Sequence, residues 1–219
     1  MCFSATASFT AGITLSALGV ATLRQVPSRR EFLLGTFPLL FAIQQFSEGL
    51  VWLTIGQDSL NSINALVTYN FLFFATVIWP ILCPLSIYLL ETHAVKRKMS
   101  LGLAFIGLAF GIYLFGFVLT HGVDSIRFSG NLLYDLNFIP FYEGNKYLYL
   151  LVTAFPFLLA SELHLRLFGA FVILSFGISE LFYKVTFVSV WCFFAAVLSA
   201  GLYFIVRGFK YRVLKVVGE

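Results

Sequence analysis

Between Leu101 and Thr120 the chain reads LGLAFIGLAFGIYLFGFVLT, a run with no charged side chain. As an α-helix rising 1.5 Å per residue, such a run covers about 30 Å, the hydrocarbon thickness of a bilayer. Working outward in both directions, the same test finds six more runs bounded by charge or turn residues: Phe3 to Leu23, Phe32 to Ile55, Ile63 to Leu90, Tyr147 to Leu163, Leu167 to Ser179 and Val185 to Val206. The last two adjoin. Leu167 to Val206 would be about 60 Å long as one helix and is interrupted only by Glu180 and Lys184, so it reads as two crossings.

Composition agrees. Of 219 residues, 60% are hydrophobic and 11% charged, with mean hydropathy +0.93, against roughly 25% charged residues in soluble domains. The formal charge of +4 is not a nucleic-acid signature, because no basic run is interleaved with aromatics on a soluble segment. The basic residues instead report topology. Eleven of the fourteen follow the first, third, fifth and seventh runs, from Arg24, Arg29 and Arg30 to Arg207, Lys210, Arg212 and Lys215; the opposite ends hold Arg127, Lys146 and Lys184. Cytoplasmic loops carry the excess of Lys and Arg. The expectation is an all-α seven-transmembrane-helix bundle, N-terminus outside and C-terminus cytoplasmic, forming one integral membrane domain over 1–219. The first run has no Lys or Arg before it, unlike a cleaved signal, and is expected to be retained.

Two segments fall outside the spans. The connection from His121 to Lys146 contains Phe128, Leu132, Leu133, Tyr134, Phe138 and Ile139, too apolar for a free loop. It is expected to lie on the outer interface, to fold over the bundle mouth as a lid over 121–146, or simply to pack as an ordered loop. Residues 207–219 form a basic cytoplasmic tail.

Glu48 is the most informative position, because it lies well inside the second run. A central acidic charge in a membrane helix costs about 2.5 to 3.5 kcal/mol, so such residues face the bundle interior, find a partner or become protonated. Gln45, Glu48 and Trp52 recur at i, i+3 and i+7, and Gln44 sits four before Glu48, making one helix face polar with an aromatic rim. We read this face as a ligand site, the alternative being interhelical hydrogen bonds that hold the bundle. In the third run, Trp79-Pro80-Ile81-Leu82-Cys83-Pro84 frees the carbonyls of Thr76 and Pro80. Those groups either line a cavity beside Glu48 or mark a kink that improves packing.

Other polar positions have simpler readings. Ser4, Ser8, Gly12 and Ser16 form a packing seam, as do Cys192, Ala196 and Ala200. Glu180 and Lys184 are spaced for a local ion pair. Glu91-Thr92-His93 and Glu162-Leu163-His164 read as solvated helix ends; a two-His, two-carboxylate metal site requires those helices to touch. Cys2, Cys83 and Cys192 are too scattered for a disulfide framework, and depth argues against a Cys2–Cys192 bridge. No histidine lies within a span, and no phosphate-binding glycine loop, Gly-x-Ser-x-Gly or His-Glu-x-x-His occurs.

The opening Met1-Cys2-Phe3-Ser4-Ala5-Thr6-Ala7-Ser8-Phe9, the Phe41 to Trp52 segment, the Trp79 to Pro84 segment and Ser189 to Ala196 together resemble an uncharacterised family of small bacterial membrane proteins. The resemblance covers most of the chain and implies a multi-pass protein of the bacterial cytoplasmic membrane, without implying an activity. The residues themselves favour a small transporter, channel or ligand-binding protein with a pocket formed by Gln44, Gln45, Glu48, Trp52, Thr76, Trp79, Pro80, Trp191 and Cys192. Its expected partners are membrane lipids and a small polar or cationic ligand, and no particular cofactor or metal is indicated. The alternative is a membrane-embedded enzyme or redox protein on a lipid-soluble substrate, with Cys2 or Cys192 as thiol and Glu48 as acid or base.

Overall fold

The computed structural model describes the backbone of residues 4–217 and the side chains of residues 4–211; Cys2 lies outside the described residues, as do the side chains of Arg212 and Lys215. The helices are α1 (Ala5–Leu23), α2 (Arg29–Gly35), α3 (Phe37–Thr54), α4 (Asn61–Phe73), α5 (Trp79–Leu90), α6 (Ala94–His121), α7 (Tyr142–Leu159), α8 (Leu163–Phe182), α9 (Phe187–Ser199) and α10 (Leu202–Val217), with strands β1 (Ser125–Phe128) and β2 (Asn131–Tyr134) between α6 and α7. Short breaks leave these helices in seven rods among the described residues: 5–23, 29–54, 58–90, 94–121, 142–159, 163–182 and 184–217.

Five helical stretches are long and apolar enough to cross a membrane: Ala5–Leu23, Asp58–Leu90, Ala94–His121, Leu163–Phe182 and Lys184–Tyr211. The two rods that fall short carry polar residues: buried Gln44, Gln45 and Glu48 in α3, and exposed Glu143 with buried Lys146 in α7. Ile13, Phe105, Ile112, Phe171, Leu174 and Phe204 are exposed. Apolar side chains exposed around several helices suit contact with lipid, since a soluble monomer rarely shows large apolar patches.

Each break has a local cause. Thr36 joins α2 to α3, where Pro38 sits in the first turn and loses no helical hydrogen bond. Tyr183 divides α8 from a 3-10 turn at Lys184–Thr186, so the 40-residue apolar run is two helices packed on each other. That break corrects the expected Glu180–Lys184 pair, because spacing of four brings side chains together only along continuous helix. Glu180 instead pairs with Lys146 at 2.7 Å, and Lys184 leans toward Glu143 at 3.8 Å.

Between α4 and α5 the chain is π-helical over Phe74–Ile78. Pro80 has no N–H to offer the Thr76 carbonyl, and a wider turn is one way a helix absorbs such a loss. The freed carbonyls do not open onto the Glu48 face. They meet α6 at two glycines: a methyl on Gly107 would lie 1.9 Å from the Pro80 oxygen, and one on Gly111 would lie 2.9 Å from the Thr76 oxygen. The prolines therefore sit at a close α5–α6 contact. The α1 seam packs on α3, with Gly12 against the Phe46 ring and Gly49 against that of Phe9.

The segment after α6 is not helical. β1 and β2 pair antiparallel, Ser125 opposite Tyr134 and Phe128 opposite Asn131. They turn at Ser129 and Gly130, whose φ values of 46° and 76° suit a tight hairpin. The hairpin covers one end of the bundle. Tyr134 stacks on Phe71 at 4.8 Å, Ser125 donates to Asn64 at 2.9 Å, and Arg127 donates to the Trp52 carbonyl at 3.0 Å. Leu132 and Ile139 are buried beneath it.

At the opposite, basic end, Glu91 joins two turns. Its carboxylate accepts from the Thr92 and His93 N–H groups at 2.9 Å each, and from the Ser161 N–H and hydroxyl at 2.9 and 3.1 Å. Burial pushes this carboxyl up, but the hydrogen bonds outweigh it and hold it below the usual glutamate value. The turns meet as a metal site would require, yet His93 and His164 are exposed, and no group of three or more His, Cys, Asp or Glu placed to hold a metal forms among the described residues.

Candidate functional site

α3 carries Gln44, Gln45 and Glu48 into the interior, each with 0% exposure. Residues 44, 45 and 48 lie on adjacent rows of one helix, so a helix turned to face α9 buries all three together. Ser189 of α9 donates to Glu48 Oε1 at 2.6 Å, and Gln45 Nε2 donates to Oε2 at 3.4 Å. Trp79 of α5 donates its indole N–H to Gln44 Oε1 at 2.8 Å. The Gln44 amide nitrogen is buried without a hydrogen-bond acceptor, and Cys192 of α9 lies within electrostatic reach of Glu48. One polar cluster thus links α3, α5 and α9, and Gln45 Oε1 within it is a buried acceptor without a hydrogen-bond donor.

The space beside the cluster has a different character. A cavity of about 40 Å³ is lined largely by aromatic residues, including Phe41, Trp79, Tyr149, Phe168 and Trp191, with Cys83 and Cys192 also in its wall. A second cavity of about 60 Å³ lies toward the hairpin, with Thr76, Ile139 and Lys146 among its walls. Tyr149, Trp191 and Cys192 line both. Glu48 and Gln45 line neither, so the expected pocket around Glu48 is a sealed cluster behind Cys192 with an apolar chamber in front.

Tyr149 was not among the residues the sequence singled out. Its hydroxyl donates to the Ala75 carbonyl inside the π-helical stretch, and its ring meets Trp191 edge-on at 5.3 Å. Trp191 donates to Ser175 Oγ at 3.1 Å. At the hairpin end of the upper cavity stands Lys146, whose side chain is 4% exposed and ion-paired at 2.7 Å to both Glu143 and Glu180. Burial pushes its ammonium down, but the two carboxylates more than compensate and hold it above the usual lysine value.

Of the nine expected site residues, the structure brings Gln44, Gln45, Glu48, Trp79 and Cys192 into one cluster, with Trp191 and Thr76 on the adjoining walls. Trp52 and Pro80 stand apart. Trp52 lies under Arg127, whose guanidinium sits 5.7 Å from its ring, and Pro80 faces α6. Ser189 and Tyr149 were missed. A lone serine in the Val188-Ser189-Val190 run was the available signal for the first.

A helical fold with five helices long and apolar enough to cross a bilayer is that of a membrane protein. The chain belongs to DUF6629, a family of unknown function whose model matches residues 1–214. No curated protein and no solved structure matches it.

Proposed function

We propose that this chain is a carrier or binding protein of the bacterial cytoplasmic membrane that takes a small polar or cationic solute at the Glu48 cluster. It crosses the bilayer seven times, with the hairpin end outside and the basic end in the cytoplasm. The observation that carries the reading is Glu48 itself, held at 0% exposure by Ser189 and Gln45 inside an otherwise apolar bundle. Acidic side chains at such depth mark solute or proton paths because holding one there is costly. The sealed cluster favours an occluded carrier over an open channel. The orientation rests on the basic residues: Lys210 donates to the Arg24 carbonyl and Lys96 to Ser161 at one end, as positive-inside topology requires. The bacterial setting rests on the resemblance of the sequence segments.

The test is flux in reconstituted vesicles across a panel of alkali, ammonium and methylated ammonium salts. The expected result is a flux in the unaltered protein that Glu48→Gln lowers at least about tenfold, the loss of about 1.4 kcal/mol of charge-dependent stabilisation. Equal flux in both proteins, or none above empty vesicles, overturns the reading. The enzyme alternative draws on the proximity of Cys192 to Glu48. Serine at both Cys2 and Cys192 tests that alternative: normal growth and lipid profiles in the double variant count against a thiol mechanism.

A further inference from the structure

The chamber beside Glu48 carries a statement about ligand chemistry, resting on the reading of Glu48 as a solute site. More than half of the residues in its wall are aromatic: Phe41 stacks on Trp79 at 3.8 Å, Phe157 meets Phe168 edge-on at 5.0 Å, and Tyr149 meets Trp191. Every strong donor on that wall is already engaged elsewhere. The Trp79 and Trp191 indoles donate to Gln44 and Ser175, the Tyr149 hydroxyl to Ala75, and Thr153 to the Tyr149 carbonyl at 2.8 Å. What remains toward the chamber is π surface, the aliphatic Val172 and Ala195, and the Cys83 and Cys192 thiols.

Such a wall discriminates. An anion meets the negative ring faces and finds no donor. A hard metal ion finds no ring of oxygen ligands. A cation carrying methyl groups gains from both, because its alkyl surface fills apolar space and its charge is drawn to the rings. The Glu48 carboxyl, behind Cys192 and Gln44, adds attraction through a medium of low dielectric. One water needs about 10–15 Å³ of such volume, so the chamber of about 40 Å³ has room for a few methyl-sized groups. The upper cavity shares Tyr149, Trp191 and Cys192 with it, and there the charge of Lys146 is balanced by Glu143 and Glu180.

We propose that the chamber walled by Phe41, Trp79, Tyr149 and Trp191 binds a small alkylated ammonium ion, with the Glu48 cluster as its counter-charge.

The experiment uses the full chain purified in mild detergent and three additives: tetramethylammonium chloride, sodium chloride at equal ionic strength, and tert-butanol as a neutral molecule of similar shape. Tetramethylammonium is expected to raise the unfolding temperature saturably and to slow modification of Cys83 and Cys192 by methyl methanethiosulfonate, while the other two additives do neither. Glu48→Gln is expected to raise its half-saturating concentration about tenfold. Equal effects of tetramethylammonium and tert-butanol in the unaltered protein overturn the proposal whether or not the variant folds, and unchanged thiol modification overturns it by placing the ion elsewhere. If Glu48→Gln abolishes flux of another solute while tetramethylammonium has no effect, this inference falls and the carrier reading stands. Flux indifferent to Glu48→Gln removes the carrier reading itself.

Discussion

Ser189 donates a hydrogen bond of 2.6 Å to Glu48 across 141 positions of sequence, joining α9 to α3 inside the bundle. Interhelical hydrogen bonds in membranes average about 0.6 kcal/mol and reach about 1.7. A short bond between two side chains of 0% exposure belongs at the upper end of that range. Ser189→Ala is therefore expected to cost about 1 to 2 kcal/mol in a denaturation titration in detergent micelles. In a double-substitution cycle with Glu48→Ala, a coupling energy near zero would show that the bond contributes nothing to stability.

The α5–α6 contact gives a sharper contrast. A methyl at Gly107 would sit 1.9 Å from the Pro80 carbonyl oxygen, a backbone atom that no rotamer change can move, whereas nothing lies within 4 Å at Gly102 or Gly116 on the same helix. Gly107→Ala is expected to lower stability by about 1–3 kcal/mol or more through overpacking. Gly102→Ala is expected to be neutral or to gain up to about 1 kcal/mol from helix propensity. Equal unfolding temperatures for the two variants would remove the close contact from the account.

Glu91 makes acid stability testable. Its folded value is lowered, so its contribution is present above the ordinary glutamate value and is lost as pH falls through the folded one. Unfolding temperature is expected to fall as pH drops from about 5 to about 3, and Glu91→Gln should flatten that limb while lowering stability at neutral pH. A parallel pair of pH profiles would count against the four hydrogen bonds holding a carboxylate there.

Helix positions were legible because hydrocarbon thickness imposes a length that sequence must match. The division near Glu180 could be read from chain length, although Tyr183, where it falls, carries no Gly or Pro signal. The hairpin's signal in the sequence is Ser129-Gly130, a turn pair between two apolar stretches too short to stand out from the apolar content of 121–146. The π-helical stretch lies just before Pro80, which the sequence shows, but whether a helix answers a missing N–H with a wider turn or a kink is a matter of packing. Glu48, Gln44 and Gln45 stood out because polarity is rare in lipid, whereas the aromatic chamber did not, since a ring facing a cavity and a ring facing acyl chains look alike in a chain with 27 Phe.

Lys146 offers the test in which partner choice decides the sign. Its side chain is 4% exposed and that of Glu180 17%, so neither charge is well solvated once the other is removed. Breaking one side of a buried pair costs about 3–5 kcal/mol, whereas replacing both by apolar residues of similar size is often neutral or better. Glu143, 57% exposed, keeps water and Lys184 as company in either case and softens the loss. Lys146→Ala is therefore expected to destabilise by about 3 kcal/mol, and Lys146→Met combined with Glu180→Leu to recover most of it. A double variant as unstable as the single one would mean that Glu180 serves something other than Lys146.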